Sequence, residues 1–162
     1  RINMIYEGTN TIQSLDLLGR KVLGNQGATL KKFGAHITAL VMAEQGNEDM
    51  AEFIKPLAQL GQQMTQFTGE IGYKAMQNAD EVGAAAVDYL RVAGHLVFGY
   101  FWARMAQVAL QKIAEGHRDT FYQAKLQTAR FYFAKLFPET ASLMATARAG
   151  SAVLMETEAV FA

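Results

Sequence analysis

Met50, Leu57, Met64 and Ile71 recur every seven residues, and Phe53, Leu60 and Phe67 each come three positions after the first three of them. This a/d repeat predicts a helix that buries one seam against its neighbours, as helical bundles do. Glu48 and Asp49 suit its opening turn, where the helix dipole favours anions. Pro56 falls inside the repeat and is expected to kink its first two turns. The same period recurs elsewhere. Ile12, Leu15, Leu18 and Val22 predict a first short helix from about Asn10, with Asn10 capping it and Gln13 reaching back. Leu30, Phe33, Ile37, Leu40 and Val41 predict a second over about 29–45.

Asn78 to Glu81 has the form of another capping box, opening a helix over about 80–115. The middle of that helix, VAGHLVFGYFWA from Val92 to Ala103, is apolar nearly all round and is expected to be the most buried part of the chain. Gly83, Gly94 and Gly99 are expected to let neighbouring helices approach it closely. A fifth helix over about 119–136 should turn Tyr122, Leu126, Ala129, Phe133 and Leu136 to one face. Pro138 pre-sets a last helix and Gly150 ends it. The remaining tail from Ser151 is expected to pack as a short turn or strap. The fold expected is all-α: an antiparallel up-and-down bundle of four to five helices with a short N-terminal helix. Residues 24–28, with two glycines and an asparagine, read as a linker that separates 1–23 from the bundle of 29–162.

Composition narrows the class. Lys plus Arg equals Asp plus Glu at 15 each, which gives no electrostatic case for nucleic acid or an anionic surface. The chain has no cysteine, so disulfides and thiolate zinc sites are excluded, and a cytoplasmic location is expected. The apolar run is about half the roughly 20 residues of a membrane span, and His95 interrupts it. The start Arg1-Ile2-Asn3-Met4 carries no signal-peptide pattern and suggests a piece of a longer chain. His36, His95 and His117 have no partner at helical spacing, so His95 is expected to be a hydrogen-bonded core residue rather than a metal ligand. Met42, Met50, Met64, Met76, Met105, Met144 and Met155 are expected to fill core.

The segment with chemical content is Ile5-Tyr6-Glu7-Gly8-Thr9-Asn10-Thr11-Ile12-Gln13. It sets a carboxylate on a glycine turn just before a helix start, where a general base could be held beside free backbone N–H groups. A capped helix after an ordinary turn has the same pattern. The string IYEGTN with the subsequent IQ closely resembles the catalytic segment of the flavin-dependent acyl-CoA dehydrogenases, and LDLLGRKV resembles the family's next helix. The rest of the chain, from about Ala28, is similar to the extra helical C-terminal domain of larger bacterial members.

The resemblance implies removal of the α-proton and β-hydride of an acyl-CoA thioester, giving a 2,3-enoyl-CoA, with FAD as hydride acceptor. It assigns Glu7 as the catalytic base, Thr9 and Thr11 to the FAD cofactor, and Tyr6 and Gly8 to the substrate thioester. At Thr11 the family often carries a glutamine. The partners implied are the acyl-CoA, an electron-transfer acceptor and further copies in a homo-oligomer; the isolated chain is expected to be inactive and without FAD. The alternative is a non-catalytic helical module for interaction or oligomerisation.

Overall fold

The computed structural model describes residue 2 and residues 9–156. Among them the order is α1 (Asn10–Leu15), running directly into wider π-helical turns (Asp16–Val22), then α2 (Ala28–Glu44), α3 (Ala51–Gln77), α4 (Asp80–Ala114), α5 (Thr120–Phe131), a second π-helical stretch (Tyr132–Leu136), α6 (Glu139–Arg148) and the single turn α7 (Ala152–Met155). Successive helices α2, α3, α4 and α5 pack side by side, as short connections require. The 35-residue α4 is the axis. It is packed by α1, α3, α5 and α6 together.

The seven-residue repeat of α3 is buried from end to end: no member from Met50 to Ile71 exceeds 4% exposure. Pro56 lies in the second turn, and the helix continues through it to Gln77. Asn47 caps the preceding 3₁₀ turn, its side-chain oxygen accepting the Asp49 N–H at 3.2 Å. The second capping box forms by halves. Asn78 Oδ1 accepts the Asp80 N–H at 3.0 Å, but the Glu81 carboxylate turns away to Ser151.

The axis differs from the expectation of all-round burial. Its inward stripe is built largely of small residues, Ala85, Ala86, Gly99, Ala103, Ala106 and Ala109, with Tyr89, Val92 and Leu96 between them. Its large apolar residues Phe98, Phe101 and Val108 are 60%, 53% and 47% exposed. Small side chains face the neighbours because four elements crowd one helix, and a phenylalanine on that stripe would hold them apart.

Only one of the three expected close approaches occurs. A Cβ at Gly99 would stand 2.6 Å from Phe137 Cε2, whereas nothing lies within 4 Å of one at Gly83 or Gly94. Gly83→Ala should therefore stabilise by about 0.5–1 kcal/mol through helix propensity alone. Gly99→Ala should destabilise by about 1 kcal/mol net, because the buried Phe137 ring must shift and overpacking outweighs the propensity gain. Opposite signs in urea midpoints would bear this out; two stabilising substitutions would not.

Two π-helical stretches re-phase their faces. An extra residue per turn rotates the helix beyond it. After α5, Tyr132, Phe133 and Phe137 point inward, while Leu136, expected inside, is 45% exposed. At the N-terminus Ser14, Leu18 and Val22 are buried and Ile12 and Leu15 are 68% and 42% exposed, the reverse of the expected face for the last two. Of the methionines expected in the core, Met50, Met64 and Met144 are buried; Met42, Met76 and Met155 are more than half exposed.

Ser151 ties the strap to the start of α4. Gly150 ends α6 at φ +81°, and Ser151 donates its N–H (3.0 Å) and hydroxyl (2.6 Å) to Glu81 Oε1 at the start of α4. The Ser151 hydroxyl lowers the Glu81 carboxyl below its ordinary range, as does the Ser151 N–H. A depressed folded value means the latch stabilises fully above the ordinary carboxylate range and is lost as pH falls through the lower folded value. Acidification, or Glu81→Ala at neutral pH, should lower the amide protection factors at 151–156, corrected for the intrinsic exchange rate at each pH, before the rest of the fold opens. Protection there that ignores both changes would rule the latch out.

Candidate functional site

The described part of the catalytic-like segment is Thr9, Asn10 and Thr11; Tyr6, Glu7 and Gly8 lie outside the described residues. Thr9 occupies the N-cap position with helical backbone angles, φ −91° and ψ −6°, and makes no side-chain cap. Its carbonyl accepts the Gln13 N–H at 2.9 Å. Asn10 therefore lies inside the first turn rather than ahead of it, and the expected Asn10–Gln13 capping box does not form. Thr9 and Thr11 are exposed, and neither hydroxyl has a partner among the described residues.

Residues 14–22 fix this exposed end to the bundle. Ser14 and Leu18 are fully buried, one turn apart. The Ser14 hydroxyl donates to the Thr11 carbonyl at 2.8 Å, so a polar residue enters the core with its hydrogen bond satisfied. Leu18 and Val22 belong to the same apolar cluster as Phe67, Tyr89 and Leu143. Asp16 pairs with Arg20 and with Lys21, the latter at 2.9 Å, and these two cations hold its carboxyl down at about 2. The chain then reverses through Gln26 (φ +56°) and Gly27 (φ +73°) into α2. Thr9 and Thr11 thus stand at the exposed end of a short rod whose other end is sunk in the core of the bundle.

A polar network that sequence reasoning only half anticipates lies elsewhere. His95 Nδ1 is 2.9 Å from the Tyr132 hydroxyl, and Nε2 is 2.9 Å from Glu139 Oε2. Arg91 also pairs with Glu139. His95 is a hydrogen-bonded core residue, as its place on the apolar helix suggests. Glu139 is not singled out by any pattern, and Tyr132 stands out only within the aromatic run Phe131-Tyr132-Phe133, whose spacing reads as ordinary packing. Burial and the Glu139 charge push the Tyr132 hydroxyl up to about 12, while the His95 contact and Arg91 lower the Glu139 carboxyl. A phenol so hard to ionise is suited to hydrogen bonding, not to nucleophilic or base chemistry. The network joins α4 to α6 and the second π-helical stretch.

Among the described residues no three His, Asp or Glu side chains gather as metal ligands would. Of the carboxylates between positions 44 and 52, Glu44 accepts from Asn47 and Gln107, and Glu52 pairs with Arg130 at 2.8 Å. No described helix is long and apolar enough to cross a membrane.

Residues 15–158 match the family described as acetyl-CoA dehydrogenase C-terminal like. The chain is 31% identical over 140 residues to a 3-methylmercaptopropionyl-CoA dehydrogenase of Ruegeria pomeroyi, a match that covers 86% of this chain and 24% of that protein. It is 27% identical over 147 residues to a broad-specificity linear acyl-CoA dehydrogenase of Mycobacterium tuberculosis, covering 85% and 24%. To a butyryl-CoA dehydrogenase of Syntrophomonas wolfei it is 29% identical over 146 residues, covering 86% and 23%. The chain thus spans about a quarter of the length of these relatives. With the helical bundle and the IYEGTN string, the match over most of its length means that the chain belongs to the acetyl-CoA dehydrogenase C-terminal-like family, the C-terminal part of acyl-CoA dehydrogenases.

Proposed function

We propose that this chain supplies the catalytic base and an accessory bundle to a flavin-dependent acyl-CoA dehydrogenase. The observation that carries the proposal is the family match over residues 15–158 directly after the IYEGTN segment. In this reading residues 1–23 belong to the catalytic part, 24–28 join it to the bundle, and 29–162 form that bundle. Glu7 takes the proton from the carbon α to the thioester carbonyl, which that carbonyl acidifies. FAD supplies the acceptor for the β-hydride. Tyr6 and Gly8 line the thioester, and Thr9 and Thr11 hold the cofactor with their hydroxyls. The donor set fits: both threonines are exposed at the end of an anchored helix, with no described partner to compete. Thr11 offers one short donor where the catalytic segment it resembles often has a longer glutamine, so Thr9 is the stronger contact.

The acyl-CoA, an electron-transfer acceptor and further copies of the protein are its proposed partners, in the cytoplasm. Ile12 and Leu15, turned outward beside the threonines, favour a role for the anchored helix in contact with the rest of the enzyme. The purified longer protein should be yellow with bound flavin and should bleach on anaerobic addition of an acyl-CoA. The 162-residue chain alone should do neither. A longer protein without flavin, or one whose flavin no acyl-CoA reduces, would refute the enzyme. The non-catalytic alternative, residues 29–162 as a module for subunit contact, rests on outward apolar residues of the bundle such as Met42, Tyr73 and Met76. Deleting 29–162 from the longer protein separates the two roles: an unchanged oligomer and unchanged kinetics would argue against any part for the bundle in either.

A further inference from the structure

The outward residues of α4 and the start of α5 form a groove of about 520 Å³, floored by Phe101, Met105 and Val108 and walled by Phe121 and Tyr122. This size lies within the range of about 300–1,000 Å³ usual for small-ligand sites. Among the described residues its only charged lining groups are Arg104 and Lys125. Among the other described arginines of this electrically neutral chain, Arg20, Arg91, Arg130 and Arg148 each pair with a carboxylate and Arg118, outside the groove lining, does not. Arg104 and Lys125 pair with none among the described residues. Arg104 reaches only the Tyr100 hydroxyl, at 3.5 Å, and the half-buried Lys125 holds its ammonium 5.3 Å from the centre of the Phe121 ring.

Long side chains of this kind lay apolar stems along apolar surface and hold the charge at the edge. The result is an apolar trough with two unneutralised cations at its rim and no acid in its described lining. Along α4 it runs from Phe101 to Ala109, about 12 Å at the helical rise. That is short for a docked helix, whose anchors extend over two turns or more. A second copy of the same face would bring like charges together. The arrangement instead complements one slender apolar chain ending in an anion. Arg offers a carboxylate a planar fork, and Lys a second point charge.

We propose that this groove binds a single fatty carboxylate, its chain against Phe101, Met105 and Val108 and its carboxylate between Arg104 and Lys125. The site is independent of the catalytic reading and does not rest on it.

The test is isothermal titration of the 162-residue chain with decanoate, kept below its micelle concentration, and with neutral decan-1-ol. Decanoate should bind saturably at one site. The double variant Arg104→Gln/Lys125→Gln should weaken decanoate about tenfold, the sum expected of two partly exposed ion pairs, and leave decan-1-ol nearly unchanged. Val108→Glu, which puts a carboxylate on the floor, should abolish decanoate binding; circular dichroism establishes that each variant is folded. The proposal is overturned by an unaltered affinity in the double variant, by equal losses for acid and alcohol, or by no saturable binding. Attachment to anionic vesicles with no binding of the monomeric acid would overturn it too, by assigning the face to a membrane surface.

Discussion

Glu7→Gln in the longer protein should retain flavin and acyl-CoA binding and lose about two to four orders of magnitude in turnover, the usual worth of a positioned general base. Gln keeps the size and the hydrogen-bonding reach of the side chain but has no basic oxygen to take the α-proton. The loss should therefore fall on the reductive half-reaction: in stopped flow, flavin bleaching slows by that factor, while the KM for acyl-CoA moves little. Thr9→Val provides the contrast. It removes a hydroxyl at the exposed end of α1 without touching buried Ser14 or Leu18, so it should weaken flavin retention and leave the bundle's melting unchanged. Turnover retained by Glu7→Gln would remove the catalytic assignment, whereas loss of flavin from that variant would mean a structural role for the carboxylate.

How much of the fold can be read along the chain depends on the kind of signal. The seam of α3 is legible because seven buried positions, Met50 to Ile71, obey one period in an unbroken helix. Helix ends are legible where chemistry forces them, as at Gly150 and Gly116 with φ of +81° and +88°. Faces are not legible where the period changes. The π-helical turns after Leu15 and after Phe131 shift the phase without any mark in the hydrophobic pattern, and so Ile12, Leu15 and Leu136 lie outside. The apolar middle of α4 misleads for a different reason. Hydrophobicity counts phenylalanine above alanine, but the crowded side of an axial helix selects by size. Phe101, left on the outward side by that selection, lines the groove between α4 and α5.

The candidate site divides in the same way. IYEGTN is contiguous, so its resemblance is visible as a string. The anchoring of its helix rests on Ser14, a polar residue that no burial pattern would place in a core. The His95 network joins positions 37 and 44 residues apart. Its members are brought together by the second π-helical stretch and the turn at Pro138, and pairings over such distances leave no trace in local spacing.

Phe67→Ala should cost about 3–5 kcal/mol, as expected when a fully buried phenylalanine is truncated and the void does not close. Phe67 is 0% exposed. Its ring stacks on Tyr89 of the axial helix with centroids 5.7 Å apart, and the Arg148 guanidinium lies 5.3 Å from its centre. One ring thus touches α3's neighbour α4 and the end of α6, so its loss loosens two junctions at once. At about 2–4 °C per kcal/mol for a chain of this size, the melting temperature should fall by roughly 6–20 °C. Since domains are stable by only about 5–15 kcal/mol, partial unfolding at ambient temperature is within reach. Tyr89→Phe tests whether packing or hydrogen bonding dominates the junction. It removes the hydroxyl 2.8 Å from Thr68 Oγ1, yet Thr68 keeps its bond to the Met64 carbonyl at 2.7 Å. No buried donor is stranded, and the loss should stay near about 1 kcal/mol. Arg148→Gln removes the cation over the ring and its ion pair with Glu70 at 2.7 Å. Both partners of that pair are partly exposed, so its loss should cost about 1 kcal/mol or less. The order Phe67→Ala far above Tyr89→Phe and Arg148→Gln is what a packed three-helix junction requires. Equal losses across the three would mean that polar contacts, not the ring, hold α6 and α3 to the axis.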